Sequence, residues 1–171
     1  MELEYLRLLY AYNLWANHHI LDSAEQLTPE ELRTWDSGSY GSIHTTLVHM
    51  MDVEWSWLDE RWRDSGPSAE LSPDDFADVV AIRTHWADVE AQLMDFVDNL
   101  TPDGEGSPNR ILVWIGDGGV TKRRPLWQLM LHLANHGTQH RSEIAAMLTR
   151  AGHSPGDMDI TRYLNVRDGL E

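Results

Sequence analysis

His136 and His140 stand four residues apart in the segment Leu126 to Arg141, where apolar residues recur at helical spacing. In a helix this places both imidazoles one turn apart on one face, about 6 Å along the axis, within reach of one cation. Leu126, Leu129, Met130, Leu133, Gly137, Ile144, Met147 and Leu148 form the apolar stripe, and both histidines fall inside it. Buried imidazoles need partners. A divalent cation satisfies two at once, and hydrogen bonds to backbone or carboxylate are the alternative. His49 is the candidate third ligand. It lies on a helix marked by Ile43, Leu47, Met50 and Trp57, on a face shared with Thr46 and Val53 that borders the same core. Three neutral imidazoles and a water form an open site suited to chemistry rather than to bracing a fold.

Other residues near this pattern have lesser roles. His132, one turn before His136, reads as a hydrogen-bond partner or pocket wall, or as a substitute ligand. His44 begins the His49 helix but faces a different side. His18, His19, His85 and His153 read as solvated or loop residues without chemistry. Glu90 falls on the inward stripe of its helix, either as a base or hydrogen-bond partner of the site or as a glutamate at the exposed margin. Trp15 and Trp57, among eight tryptophans, fill the core or wall a substrate pocket.

The length of 171 residues predicts a single domain spanning 1–171 with a sizeable core. With no cysteine, disulfides, thiolate ligands and a cysteine nucleophile are excluded. Any reacting thiol must arrive with a substrate. The formal net charge of -15 opposes binding to nucleic acid, whose affinity comes from Lys and Arg. Lys122-Arg123-Arg124, the one basic run, reads as a solvated strand end that guards an edge. No signal-like N-terminus and no membrane-length apolar run are visible, so a cytoplasmic location without a membrane partner is expected.

These ligands must be positioned by helices. A first helix is expected from about Glu2 to Gln26, and Thr28-Pro29-Glu30-Glu31 carries the cap pattern of a short second one. The next long helix runs from Ser42 to about Asp64, before the break Ser65-Gly66-Pro67. Ser72-Pro73-Asp74-Asp75 repeats the cap pattern and opens a third long helix through Val97. Ile111–Ile115 and Val120–Arg123 around Gly116-Asp117-Gly118-Gly119 read as a short hairpin, whose turn lacks the spacing of a phosphate loop. Pro125 opens the fourth long helix and Gly152 ends it, with a short helix through Ile160, Tyr163, Leu164 and Val166 closing the chain. The expected class is therefore all-α: a four-helix bundle with a short β-hairpin before the last long helix and short extra helices.

The runs Tyr12-Asn13-Leu14-Trp15-Ala16-Asn17, Gly41-Ser42-Ile43 ahead of His49, and Leu133 through Arg141 resemble the DinB/YfiT-like family of metalloenzymes, the damage-inducible bacillary type and not the DNA polymerase sharing its name. The resemblance covers nearly the whole chain, to Asp159-Ile160-Thr161-Arg162-Tyr163. It implies a four-helix bundle, a zinc, nickel or other divalent ion on His49, His136 and His140, and often a homodimer. It also implies thiol-dependent chemistry, since relatives with known activity join low-molecular-weight thiols to electrophiles. One departure stands out: glycine and glutamine commonly follow the arginine in the family, whereas Ser142-Glu143 follows Arg141 here. Glu143 is thereby expected to orient His140 or to face solvent.

The leading reading is a thiol S-transferase in which the cation favours the thiolate of a low-molecular-weight co-substrate. Asn13, Asn17, Trp15 and Arg141 are candidate orienting groups. One rival is a metal-water hydrolase with Glu90 or Glu143 as base; the other is a non-catalytic stress or interaction protein that uses the metal for stability. Three imidazoles suit zinc, nickel, copper or iron alike.

Overall fold

A computed structural model of the chain describes residues 3–36, 38–66 and 68–170. Glu2, the expected start of the first helix, and Pro67 of the expected break lie outside these residues. The fold is mostly helical. Four long helices form its body: α1 (Leu3–Ala24), α3 (Ile43–Ser56), α4 (Val79–Asp98) and α5 (Leu126–Arg150), with shorter α2 (Pro29–Thr34) and α6 (Ile160–Arg167). Both α1 and α3 pack against α4 and α5, and α6 lies on α1. An antiparallel hairpin of β1 (Ile111–Ile115) and β2 (Thr121–Pro125) immediately precedes α5, with Ile111 opposite Pro125 and Ile115 opposite Thr121.

Local chemistry sets the helix starts. The Thr28 hydroxyl accepts from the Glu31 amide while the Glu31 side chain accepts from the Thr28 amide, so two otherwise orphaned donors at the α2 entrance are satisfied. Ser42 caps α3 by accepting from the Thr45 amide. No side chain caps α5. Its first amides, Leu126 and Trp127, donate to the Arg110 and Pro108 carbonyls at the base of the hairpin, at 2.9 and 2.8 Å. The hairpin thus anchors the start of the helix that carries His136 and His140.

Two expectations are corrected. The cap pattern at Ser72 opens only a single 3₁₀ turn, Pro73–Asp75, and α4 begins after Asp78, whose side chain accepts from the Ala81 amide. Phe76 between them is extended, and its carbonyl serves His44 Nε2 at 2.8 Å and Arg33 Nη2 at 3.2 Å instead of a helix. The helix expected from Ser42 to about Asp64 keeps α geometry only to Ser56 and then widens into π turns over Trp57–Trp62. Over six residues, a repeat near 3.6 and a wider one bury nearly the same positions, so apolar spacing could not separate them.

The core has two apolar clusters. One joins Ile20 and Leu21 to Leu47, Met51, Ile82, Trp86, Ile144 and Leu148; the other joins Leu6 and Tyr10 to Leu58, Trp62, Leu93, Val97, Met130 and Leu133. Each fully buried aliphatic side chain contributes about 1.5–3 kcal/mol. Along every long helix the sequence between the two clusters carries polar side chains that are nonetheless buried: Asn13 and Asn17 on α1, Glu54 on α3, Glu90 on α4, and His140 and Arg141 on α5. This polar layer holds the candidate site.

Candidate metal centre

The α5 spacing places His136 and His140 side by side, ring centroids 4.4 Å apart, and α3 brings His49 to 5.0 Å from each. His49 Nε2 lies 3.1 Å from His136 Nε2, and one ring nitrogen from each of the three histidines falls within 4.8 Å of the others. A tetrahedral ion with bonds of about 2.0–2.1 Å to imidazole spaces its ligand atoms about 3.3–3.4 Å apart. The rings therefore need only small rotations to share one divalent cation, and the donor set fits such an ion. Their protonation suits it too. Burial, reinforced by the other imidazoles, pushes His49 and His136 down to about 4, so both are neutral near pH 7 and keep the lone pairs a metal needs.

Two neighbours hold this group in place. Glu143 Oε2 meets His140 Nδ1 at 2.9 Å, which fixes the ring and leaves Nε2 for the shared centre. Burial alone would raise the Glu143 carboxyl, yet hydrogen bonds from His140, Ser39 and Gln139 outweigh it and hold it below the usual carboxylate range. Tyr40 stacks on His49 with ring centroids 3.7 Å apart and meets His140 edge-on at 5.6 Å. It stands on the loop closed by a bridge between Asp36 and Ser42, where Gly41 takes φ 107 and a Cβ would lie 2.9 Å from Thr45 Oγ1. Tyr40 is 45% exposed, so it covers one flank of the histidines without sealing them.

Asn13, Asn17 and Arg141, expected as orienting groups, form a buried network. Arg141 Nη1 donates to Asn13 Oδ1 and Asn17 Oδ1, both at 2.7 Å, and Nη2 donates to Thr138 Oγ1 at 3.1 Å. The two amides turn their Nδ2 donors on Glu54 Oε1, at 2.8 and 3.1 Å, while Trp86 Nε1 donates to Glu54 Oε2 at 2.7 Å. A buried guanidinium and a buried carboxyl are thus joined through two amides, which ties α1, α3, α4 and α5 in register one residue from His140.

The remaining expected residues divide. His132 is exposed, with its ring 6.1 Å from His136 and 5.0 Å from Trp57, so it and Trp57 flank the centre on its hairpin side. Trp15 packs instead with His19 and with Tyr163 of α6. Glu90, read as either a site partner or an exposed margin residue, is 5% exposed. It bonds Asn17 Nδ2 at 3.5 Å and His18 Nε2 at 2.9 Å, so His18, expected to be solvated, has a buried carboxyl as partner. Burial and then Glu54 raise the Glu90 carboxyl to about 7. His44 turns to Phe76 and Arg33, away from the three histidines.

Glu54 and Tyr40 went unrecognised in the sequence. Glu54 had a readable signal, a carboxylate four residues after Met50 and four before Leu58 on a buried stripe. Tyr40 sits in an irregular loop where no periodicity applies.

Known proteins extend these observations. The DinB family model matches residues 1–169. The chain is also similar to Protein DinB of Bacillus subtilis (strain 168), 26% identical over an alignment of 163 residues that covers 91% of each chain. With a family match across almost its whole length, and three histidines gathered where a cation could bind, this chain belongs to the DinB family.

Proposed function

We propose that this protein is a divalent-metal-dependent thiol S-transferase, a single four-helix-bundle domain acting in the cytoplasm with zinc or nickel. One observation carries the reading: three ring nitrogens, two of them on imidazoles kept neutral by burial, gather beside a flank on which Tyr40, itself half-exposed, stacks. A fold brace of this size would close its fourth position with a further protein ligand. Among the described residues only these three histidines group in this way.

His49, His136 and His140 would hold the ion, which supplies a Lewis acid that favours the thiolate form of an incoming thiol. Glu143 fixes the His140 ring. The Arg141 network keeps α5 in register with α1 and α3, so the three nitrogens keep their spacing. The thiolate sulfur forms its bond to the electrophile's carbon as the leaving group departs with its electron pair, and the thiol proton passes to solvent. The chain has no cysteine, so the sulfur belongs to a co-substrate. Hydrolysis is less favoured because its two candidate bases are engaged, Glu143 with His140 and Glu90 with His18 and Asn17.

The test is elemental analysis of protein purified without a nickel column, followed by assays with glutathione, bacillithiol and mycothiol against model electrophiles. One equivalent of metal and thiol-dependent turnover lost in His136→Ala are expected. Full metal content with no turnover above that variant for any thiol rejects the transferase reading.

A further inference from the structure

A cavity of about 370 Å³ opens between the hairpin, the π turns and α5. That is within the size range of small-molecule sites, about 300–1,000 Å³. Trp57, Trp114 and Leu129 form its apolar walls, with the two indoles edge-on at 6.4 Å. Lys122 and Arg124 of β2 supply two cations, and no carboxylate lines it among the described residues. In a chain with 28 acidic and only 13 basic side chains this is a local reversal of sign. Lys122 is directed by Gly116: a Cβ there would lie 2.5 Å from Lys122 Cε and 2.9 Å from Nζ, so the missing side chain lets the lysine stem cross the turn. At the other end His132 lines the cavity, and its ring lies 6.1 Å from that of His136.

We propose that this cavity binds a small organic anion with a flat apolar body, its charge held by Lys122 and Arg124, its body against the walls formed by Trp57 and Trp114, and its far end presented past His132 to the histidine centre. The anion would be the acceptor substrate of that centre, an assignment that rests on the metal-dependent reading above. Lys122 and Arg124 of the basic run, expected only to guard a strand edge, gain a binding role. Trp57 joins it from the π turns, which continue α3 into the wall of the cavity.

The probes are 4-phenylbutyrate and its uncharged analogue 4-phenylbutanol, followed through the indole N–H signals of Trp57 and Trp114 in isotope-labelled, zinc-loaded protein. Both signals should move with the anion. The double variant Lys122→Gln/Arg124→Gln should weaken the anion roughly 3- to 30-fold, as two exposed cations would, and leave the alcohol within about twofold. Trp114→Ala should weaken both probes. His136→Ala should leave anion affinity within about twofold, so failure of the metal reading does not imitate failure of the cavity. Exchange of zinc for cobalt(II), verified by elemental analysis, should broaden the phenyl protons of the bound anion. Equal binding of anion and alcohol, or shifts confined to other tryptophans, overturns the cavity assignment; unbroadened protons in cobalt-loaded protein overturn its link to the centre.

Discussion

Gly137→Ala sets helix propensity against the buried network. Gly137 lies in the middle of α5, where alanine is favoured over glycine by about 1 kcal/mol. A Cβ at this position, however, would lie 2.7 Å from Arg141 Nη1 and 2.8 Å from Asn13 Oδ1. A guanidinium is normally free to swing aside, but Arg141 is only 2% exposed and its Nη1 bonds two amide oxygens at once. Displacing it sacrifices at least one charge-assisted bond of about 1.5–3 kcal/mol and leaves a buried acceptor short of a donor. The network loss outweighs the helical gain, for a net destabilisation of about 1–3 kcal/mol, or a Tm lower by about 2–12 °C for a domain of this size. Urea unfolding followed by circular dichroism reads it as a lower midpoint at unchanged slope. In an Arg141→Met background the guanidinium contacts are gone and only the Asn13 Oδ1 contact remains, so the same alanine should cost less than it does in the parent. A Gly137→Ala protein as stable as the parent, or more so, would refute the packing argument.

Further outcomes follow from the same geometry. Arg141→Ala strands the Asn13 and Asn17 oxygens and the Glu54 carboxyl behind them, and should lower unfolding free energy by about 3–5 kcal/mol in denaturant titrations. Glu143→Gln removes the carboxylate that holds His140 and should weaken zinc binding about 10- to 100-fold against a competing chelator; unchanged affinity would make that contact incidental. In metal-free protein, His49 and His136 titrate near 4 when folded but near the ordinary 6.5 when unfolded, so the unfolded chain takes up more protons between those values. Stability should therefore fall as pH drops from 6.5 toward 4, relative to a His49→Gln/His136→Gln variant, and parallel pH profiles of the two proteins would count against neutral buried imidazoles. Glu90, raised to about 7, opposes this slope in both proteins and cancels from the comparison.

Much of this site could be read from the chain because helical period converts residue number into direction. The i, i+4 pair on α5 and the face shared by His49 and the α3 stripe place three imidazoles toward one core without knowledge of helix packing. What period cannot give is which element a side chain meets across the core. Asn13, Asn17 and Arg141 are legible as orienting groups, but their convergence on Glu54 depends on how α1, α3 and α5 pack. Glu90 stands out by its position on a stripe, while its burial and its bond to His18 depend on how α4 meets α1. The start of α4 was misplaced because two cap patterns, at Ser72 and Asp78, stand six residues apart, and the Phe76 carbonyl is claimed by His44 and Arg33 from distant segments.

The most direct test of three imidazoles sharing one ion with a free position is zinc K-edge X-ray absorption, recorded before and after addition of a low-molecular-weight thiol. We expect three nitrogen scatterers near 2.0 Å with a light exchangeable ligand, then a sulfur shell near 2.3 Å once the thiol is present. Zinc that does not bind stoichiometrically, or a coordination shell unaltered by thiol at saturating concentration, would contradict it.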